Sequence, residues 1–188
     1  MPAPLPSSFT LNTPRLVLRI AKEKDIPRIF SATRHAGFND GMQWDPPASI
    51  DEMQAPYERS LKVWENGEAY GFTIADPVTD ELLGKISIRP TEEENVWNVG
   101  FWTHPEVQRQ GIMPEALSAI LNFGFDYLSA TSIEAAYATW NTASEKVLQR
   151  AGFRFVRRIE QGLFKQGEWV PENLVALSQK DWKGRHLT

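Results

Sequence analysis

The chain has 188 residues, of which 41% are hydrophobic and 23% charged, and a net charge of −4, as expected for one globular domain. It has no cysteine, which excludes disulfides and thiolate chemistry, and its three histidines (His35, His104 and His186) lack metal-ligand spacing, so no metal is expected. The acidic balance argues against nucleic acid, and the absence of a signal peptide or long apolar run favours a cytoplasmic protein without membrane association.

The N-terminal half predicts helices placed between strands. Alternating apolar residues indicate strands, and Asp25 and Ser49 are suitable helix caps. In chain order we expect a strand at 15–19, a helix from Asp25 to about Gly37, a polar aromatic loop from Phe38 to Pro47, a helix from Ser49 to about Gly67, and strands at 69–75, 82–89 and 96–103.

The C-terminal half predicts one crossover and a closing hairpin. We expect a helix from Pro114 to about Leu128, a strand at 133–139, a helix from Thr142 to Arg150, and strands at 153–159 and 174–177. This order mixes antiparallel hairpins with a β-α-β unit, which predicts an α+β fold with one mixed, mostly antiparallel sheet covered by helices. Residues 1–188 are interpreted as a single domain with a flexible N-terminal segment at 1–12.

The stretch 107–114 joins a predicted strand to a predicted helix through a polar turn. The N–H groups at a helix start, together with the helix dipole, favour a phosphate. Gly111 would let the backbone approach such a ligand, and Pro114 suits the first helical turn. An ordinary connection of this kind remains the alternative to a phosphate site.

The acidic residues are concentrated between Gly37 and Glu68. This window holds seven acidic residues and two basic ones, an imbalance larger than that of the whole chain. A solvated helix face would explain it, and so would a surface that attracts a cationic substrate.

Two motifs give the sequence a family resemblance. Residues 108–113, Gln-Arg-Gln-Gly-Ile-Met, resemble the acetyl-CoA-binding turn of the GNAT acetyltransferases. Residues 141–153, from Asn141 through Ser144 to Gly152-Phe153, resemble a segment of the branch that acetylates N-terminal amines of ribosomal proteins. The opening 13–19 and the strands around 83–86 and 99–102 also match that branch, so the likeness extends over about 13–182.

The resemblance implies a GNAT fold, acetyl-CoA as the acyl donor, and roles for particular residues. Asn141 would hold the pantetheine arm or a nearby backbone group, and Ser144 would lie beside the thioester sulfur as the catalytic acid. The implied acetyl-CoA site comprises Trp102, Thr103, Gln108, Arg109, Gln110, Gly111, Ile112, Met113, Asn141 and Ser144. Trp44 and Glu94 are the expected acceptor-binding residues. Helix capping is the alternative role for Asn141.

The sequence departs from the family pattern where a base or acid is often found. A tyrosine common in relatives is replaced by Leu148, which leaves the acid role to Ser144. Carboxylates common in relatives are replaced by Asn98, Leu163 and Pro171. Met113 stands where the family prefers a small residue, which could crowd the pyrophosphate. The remaining candidate bases are His35, Glu94 and Glu160, and His104 is expected to order its turn.

These features predict an acetyl-CoA-dependent N-acetyltransferase that acts on a primary amine, with an N-terminal α-amine of a protein or peptide as the favoured acceptor. A small amine, such as a polyamine or an amino sugar, is the alternative acceptor. A non-catalytic acyl-CoA-binding module is the alternative outside enzymes. Both a monomer and a homodimer are compatible with the sequence.

Overall fold

Residues 4–185 are described by the structure, a computed structural model. The strands are β1 (Thr10–Asn12), β2 (Val17–Ile20), β3 (Tyr70–Ala75), β4 (Leu82–Pro90), β5 (Val96–Thr103), β6 (Ser132–Ala138), β7 (Arg154–Lys165) and β8 (Glu168–Ser178). The helices are α1 (Ile26–Thr33), α2 (Gln54–Glu65), α3 (Ile112–Asn122), α4 (Thr142–Ala151) and α5 (Gln179–Arg185).

All of these strands belong to one sheet in the order β1-β2-β3-β4-β5-β6-β8-β7. Neighbouring strands are antiparallel except β5 and β6, which are parallel. A parallel pair needs a crossover connection, and α3 supplies it here. The predicted α+β fold with a mixed, mostly antiparallel sheet is therefore confirmed.

The two faces of the sheet have different partners. Ile88, Val99 and Ile133 lie on the face that forms the main apolar core with α3. The opposite face carries Thr73 and the residues in register with it, and here the Thr73 hydroxyl donates to Asp25 Oδ2 (3.0 Å) just before α1. We call these the α3 face and the α1 face.

Strands β5 and β6 pair over a short length and then part. Their register runs from Val96 and Ser132 to Asn98 and Glu134, whereas β4 continues beside β5 as far as Thr103. Likewise, β8 continues beside β6 as far as Ala138. A gap therefore opens between β5 and β6 toward their C-terminal ends.

Gly84 on β4 allows the end of β5 to approach closely. A Cβ added to Gly84 would lie 2.5 Å from the Trp102 carbonyl oxygen and 3.1 Å from Thr103 Cα. Both neighbours are backbone atoms, so no side-chain rotation could relieve the clash. The missing side chain therefore lets β5 stay close to β4 while it moves away from β6.

Several predicted boundaries are wrong, and the causes are tertiary. The segment 1–12 was expected to be flexible, but in its described part β1 pairs with β2. Leu5 is also buried, and its carbonyl oxygen accepts from Trp64 Nε1 (3.0 Å). Asp25 does not cap α1 with its side chain. Instead its buried carboxylate pairs with Arg19 (2.8 Å).

Helix ends and strand lengths also differ from the predictions. Helix α1 ends at Thr33 rather than near Gly37, and α3 begins at Ile112 rather than Pro114. The segment Phe123–Tyr127 continues α3 as a π-helical turn. Strands β7 and β8 form a long hairpin whose turn, Gln166-Gly167, has positive φ at both residues, as hairpin turns require.

None of the helices within residues 4–185 combines the length and hydropathy that a membrane crossing requires.

The close approach at Gly84 can be tested by stability. We expect Gly84→Ala to lower the free energy of unfolding by about 1–3 kcal/mol, because the added methyl group meets immovable backbone. Gly71→Ala on β3 is the matched control, since a Cβ there would meet nothing within 4 Å. Urea unfolding of both variants measures the difference. Equal stability of the two variants would contradict the packing role of Gly84.

Candidate active site

The turn before α3 leaves backbone N–H groups free. Arg109 (φ 64°) and Gly111 (φ 75°) are both left-handed, and helix α3 starts at the next residue, Ile112. Within the described part of the chain, the N–H groups of residues 108–111 donate no hydrogen bond. The first N–H groups of α3 have no acceptor within the helix either. The predicted phosphate-binding turn therefore has the geometry that an anion requires.

Arg15 and Glu115 hold this turn in place through hydrogen bonds. The Arg15 guanidinium donates to the carbonyl oxygens of Gln110 (3.1 Å) and Gly111 (3.3 Å) and to Glu115 Oε2 (2.7 Å). Glu115 also accepts from Thr13 Oγ1 (2.6 Å). Burial alone would raise the pKa of Glu115, but these hydrogen bonds outweigh burial and lower it. The carboxylate is therefore ionised at neutral pH and fixes the guanidinium.

Met113 does not crowd the turn. Its side chain and that of Ile112 are buried in the core, whereas Gln108, Arg109 and Gln110 are exposed. A large residue is tolerated at position 113 because it points into the protein. The expected crowding of the pyrophosphate by Met113 is corrected accordingly.

At the end of β5, the main-chain N–H and C=O groups of Thr103, rather than those of Trp102, point toward the gap. His104 N–H donates to the Leu83 carbonyl oxygen (2.8 Å). Bonded and non-bonded pairs alternate in an antiparallel ladder, so Trp102 is bonded to Lys85 and Thr103 is not bonded to Gly84. The N–H and C=O groups of Thr103 consequently point away from β4, toward the place where β6 has departed.

Across the gap, Asn141 and Ser144 lie at the start of α4. Asn141 caps this helix, because its side-chain oxygen accepts from Ser144 N–H (3.1 Å). The alternative capping role is therefore observed for the Oδ1 atom of Asn141. In residues 4–185 the Ser144 hydroxyl makes no hydrogen bond, and its side chain is half-buried. Ser144 can therefore offer its hydroxyl to a ligand in the gap.

The loop 37–47 approaches the gap from the α1 face. Phe38 lies edge-on to the Trp102 ring, with centroids 5.2 Å apart, and Trp44 lies 6.3 Å from Phe38. Lys165 ties the loop to the β7–β8 hairpin by donating to the Trp44 carbonyl oxygen (2.8 Å) and to Asp45 Oδ1 (2.7 Å). Trp44 is thus part of an aromatic wall beside the gap, where an acceptor was expected.

Glu94 is placed wrongly by the sequence prediction. It lies in the turn before β5, and the eight residues of that strand, about 26 Å at ~3.3 Å per residue, separate it from Thr103 at the other end of the strand. Its assignment as an acceptor-binding residue, or as a base, is withdrawn.

The other two candidate bases lie beside charged partners. Glu160 is exposed and pairs with Arg158 (2.9 Å). His35 lies 3.9 Å from Glu106 Oε1.

His35, His104 and Glu106 come within 4.8 Å of one another, an arrangement that the sequence did not predict. Both ring nitrogens of buried His104 are engaged: Nδ1 accepts from Glu106 N–H (3.3 Å), and Nε2 donates to the Ser31 hydroxyl (2.9 Å). Burial, assisted by nearby Arg28, lowers the pKa of His104 and keeps it neutral. His104 therefore orders its turn, as predicted, rather than offering a free metal ligand.

Glu172 is a buried carboxylate that sequence reasoning missed. It lies on β8 beside Ala138, the last residue of β6, on the α1 face. Gly162, in an irregular part of β7, covers it so closely that an added Cβ would lie 2.7 Å from Glu172 Oε2. Burial raises the pKa of Glu172. The sequence carried no signal for this position, because the strand register that buries it is not local.

The profile of the acetyltransferase (GNAT) domain family matches residues 15–154, about three quarters of the chain. The matched segment contains the turn, the gap and the start of α4. The chain therefore belongs to the GNAT acetyltransferase family, and it is an N-acetyltransferase of that type.

Two curated relatives are similar along almost their whole length. The uncharacterized N-acetyltransferase YnaD of Bacillus subtilis is 25% identical over 172 residues, which cover 92% of this chain and 98% of YnaD. The ribosomal protein uS5-alanine N-acetyltransferase of Escherichia coli is 25% identical over 182 residues, covering 92% of each chain. The fold is shared with the ribosomal L7/L12 α-N-protein acetyltransferase RimL in complex with coenzyme A (TM-score 0.82, 21% identity, covering 92% of this chain and 99% of RimL).

The role of the turn can be tested at Gly111. We expect Gly111→Val to weaken acetyl-CoA binding by roughly tenfold or more, since a β-branched residue cannot hold the left-handed conformation that exposes the N–H groups. Titration calorimetry measures this. Gly167→Val is the control, because Gly167 also has positive φ (87°) but a Cβ there meets nothing within 4 Å. Equal loss of affinity in both variants would mean that general destabilisation, not the turn, is responsible.

Proposed function

We propose that this protein transfers the acetyl group of acetyl-CoA to the N-terminal α-amine of a protein or peptide. The observation that carries the proposal is the gap between β5 and β6. The free N–H groups of the α3 turn lie near one side, and an aromatic and acidic loop closes the α1 face. The relatives that modify ribosomal-protein amines add support.

The donor side follows from charge and hydrogen bonding. The pyrophosphate of acetyl-CoA would bind to the N–H groups of residues 108–113, where the helix dipole is positive. The pantetheine arm would then extend along the gap, past the main chain of Thr103 and toward Asn141. This path would bring the thioester to Ser144.

The reaction is a direct acyl transfer. The neutral amine attacks the thioester carbon, and the carbonyl oxygen gains negative charge that the Thr103 N–H group is positioned to stabilise. The carbon–sulfur bond then breaks, and the sulfur takes up a proton as the amine nitrogen loses one. The Ser144 hydroxyl would hydrogen-bond to the departing thiolate or pass the proton to it.

Ser144→Ala tests this acid role. We expect kcat to fall roughly 10–1000-fold with little change in acetyl-CoA affinity, because the thiolate charge develops only in the transition state. Steady-state kinetics and calorimetry measure the two effects. Ser60→Ala, at a serine of α2 whose hydroxyl donates to the Tyr57 carbonyl oxygen, is the control and should leave kcat unchanged. If kcat stays within about twofold of the wild-type value, Ser144 has no catalytic role and is only a residue of helix α4.

The acceptor preference follows from the protonation of amines. An α-amine has a pKa of about 7.7–8.0, and a lysine amine about 10.4. Near pH 7.4 a fair fraction of α-amine is already neutral, whereas only about one lysine amine in a thousand is, a difference of about 3.3 kcal/mol. Asn98 and Leu163 supply no carboxylate to close that difference. The site therefore suits an amine that needs little deprotonation.

We expect acetylation of peptide N-termini to exceed acetylation of lysine side chains by roughly tenfold or more at neutral pH. Mass spectrometry on one peptide carrying both amines measures the ratio. A polyamine in a parallel reaction tests the alternative that the exposed acids of residues 37–68 recruit a small cation. Faster modification of lysine would contradict the proposal and indicate an unrecognised base, for which Glu172 is the first candidate.

We also propose a cytoplasmic location, because a chain without cysteine suits a reducing compartment.

A further inference from the structure

The side-chain amide of Asn39 is buried without hydrogen-bond partners. The residue is 9% exposed, and neither its side-chain nitrogen nor its side-chain oxygen has a partner in the described structure. Buried amides are nearly always paired, because an unpaired one loses its hydrogen bonds to water and gains none in return. Such a group needs an explanation, and one explanation is that an amide group of a bound ligand supplies the missing hydrogen bonds.

The position of Asn39 points to the acceptor. Its neighbour Phe38 lies against Trp102 at the end of β5. Two residues further on, a Cβ added to Gly41 would lie 3.4 Å from both Asn141 Nδ2 and the Trp140 ring. Asn39 therefore lies in the part of the loop that crosses from the end of β5 to the start of α4, above the gap.

The face of the sheet on which Asn39 lies decides which of the two substrates is closer to it. Trp102 is in register with Lys85 and Thr73, and this row lies on the α1 face. The phosphate-binding turn leads instead into α3, on the opposite face. The acyl donor would thus enter from the α3 turn. The α1 face, where Asn39 lies, then remains for the amine that attacks the thioester.

The chemistry of the side chain specifies what it would recognise. An asparagine amide carries both a donor and an acceptor, so it can donate to the carbonyl oxygen of a peptide group or accept from its N–H. In an acceptor with a free N-terminus, the first peptide group is only a few bonds from the reacting amine. Pantetheine also contains amides, so the donor is the other possible source of this chemistry.

We propose that Asn39 binds the first peptide group of the acceptor and so selects peptide N-termini over simple amines. This inference rests on the proposed function. The loop tie between Lys165 and Asp45 would hold Asn39 over the gap while the peptide is bound. Asn39 is thus a specificity residue that acts on the acceptor without taking part in bond breaking.

The test compares the wild-type protein with Asn39→Leu. Leucine has a similar size and removes the unpaired groups, and Asn39 is not among the positive-φ residues of the described chain, so we expect an unchanged or raised Tm. With a short peptide as acceptor, kcat/KM should fall roughly 10–1000-fold. With benzylamine, which has no amide, it should stay within about twofold, as should the acetyl-CoA affinity. Asn12→Leu, at an exposed asparagine of β1, is the control and should change none of these quantities.

The outcomes separate this inference from the function on which it rests. Equal losses with the peptide and with benzylamine, together with weaker acetyl-CoA binding, would assign Asn39 to pantetheine and overturn the inference alone. A lowered Tm for Asn39→Leu would show that the amide is already satisfied in the free protein, which also overturns it. If the wild-type protein fails to acetylate the peptide at all, the proposed function falls and this inference falls with it.

Discussion

The parting of β5 and β6 is the constraint on which the site depends. Two parallel strands that stayed paired would bond their main-chain groups to each other and leave none for a thioester. Here the strands separate after Asn98 and Glu134, while their outer neighbours keep each of them in the sheet. Gly84 allows this by letting β5 follow β4 closely. The unpaired main chain of Thr103 is a consequence of that geometry.

The proposed phosphate-binding turn depends on a contact far away in sequence. Two left-handed residues, one of them Arg109, are needed to turn the N–H groups outward, and a non-glycine residue in that conformation is strained. Arg15 offsets the strain by donating to two carbonyl oxygens on the inner side of the turn, and Glu115 keeps the guanidinium in place. The N-terminal strand region therefore shapes the proposed acyl-donor site without facing it.

The sequence predicted the features that are encoded locally. Strand alternation gave most of the sheet, and the turn at Gly111 and the capping asparagine Asn141 could be recognised from short motifs. Features that depend on register or long-range contacts could not. The burial of Glu172 requires β8 to pair with both β6 and β7, and Glu94 was misplaced because its distance from the gap is set by the direction of β5. Asn39 lies in a loop without periodicity, so its burial left no pattern.

A hydroxyl group as the proposed proton donor, at Ser144, is consistent with the proton balance of the reaction. A thiol has a pKa of about 8.5 and an α-ammonium group about 7.7–8.0, so moving the proton from the attacking nitrogen to the departing sulfur is slightly downhill. A hydroxyl and main-chain N–H groups then need only to orient the proton and stabilise transient charge. Lysine requires an additional deprotonation before attack, which these groups cannot supply. In the proposed reaction, the polar groups of the site are therefore matched to a weakly basic amine, and our proposal assigns discrimination among such amines to the loop that contains Asn39.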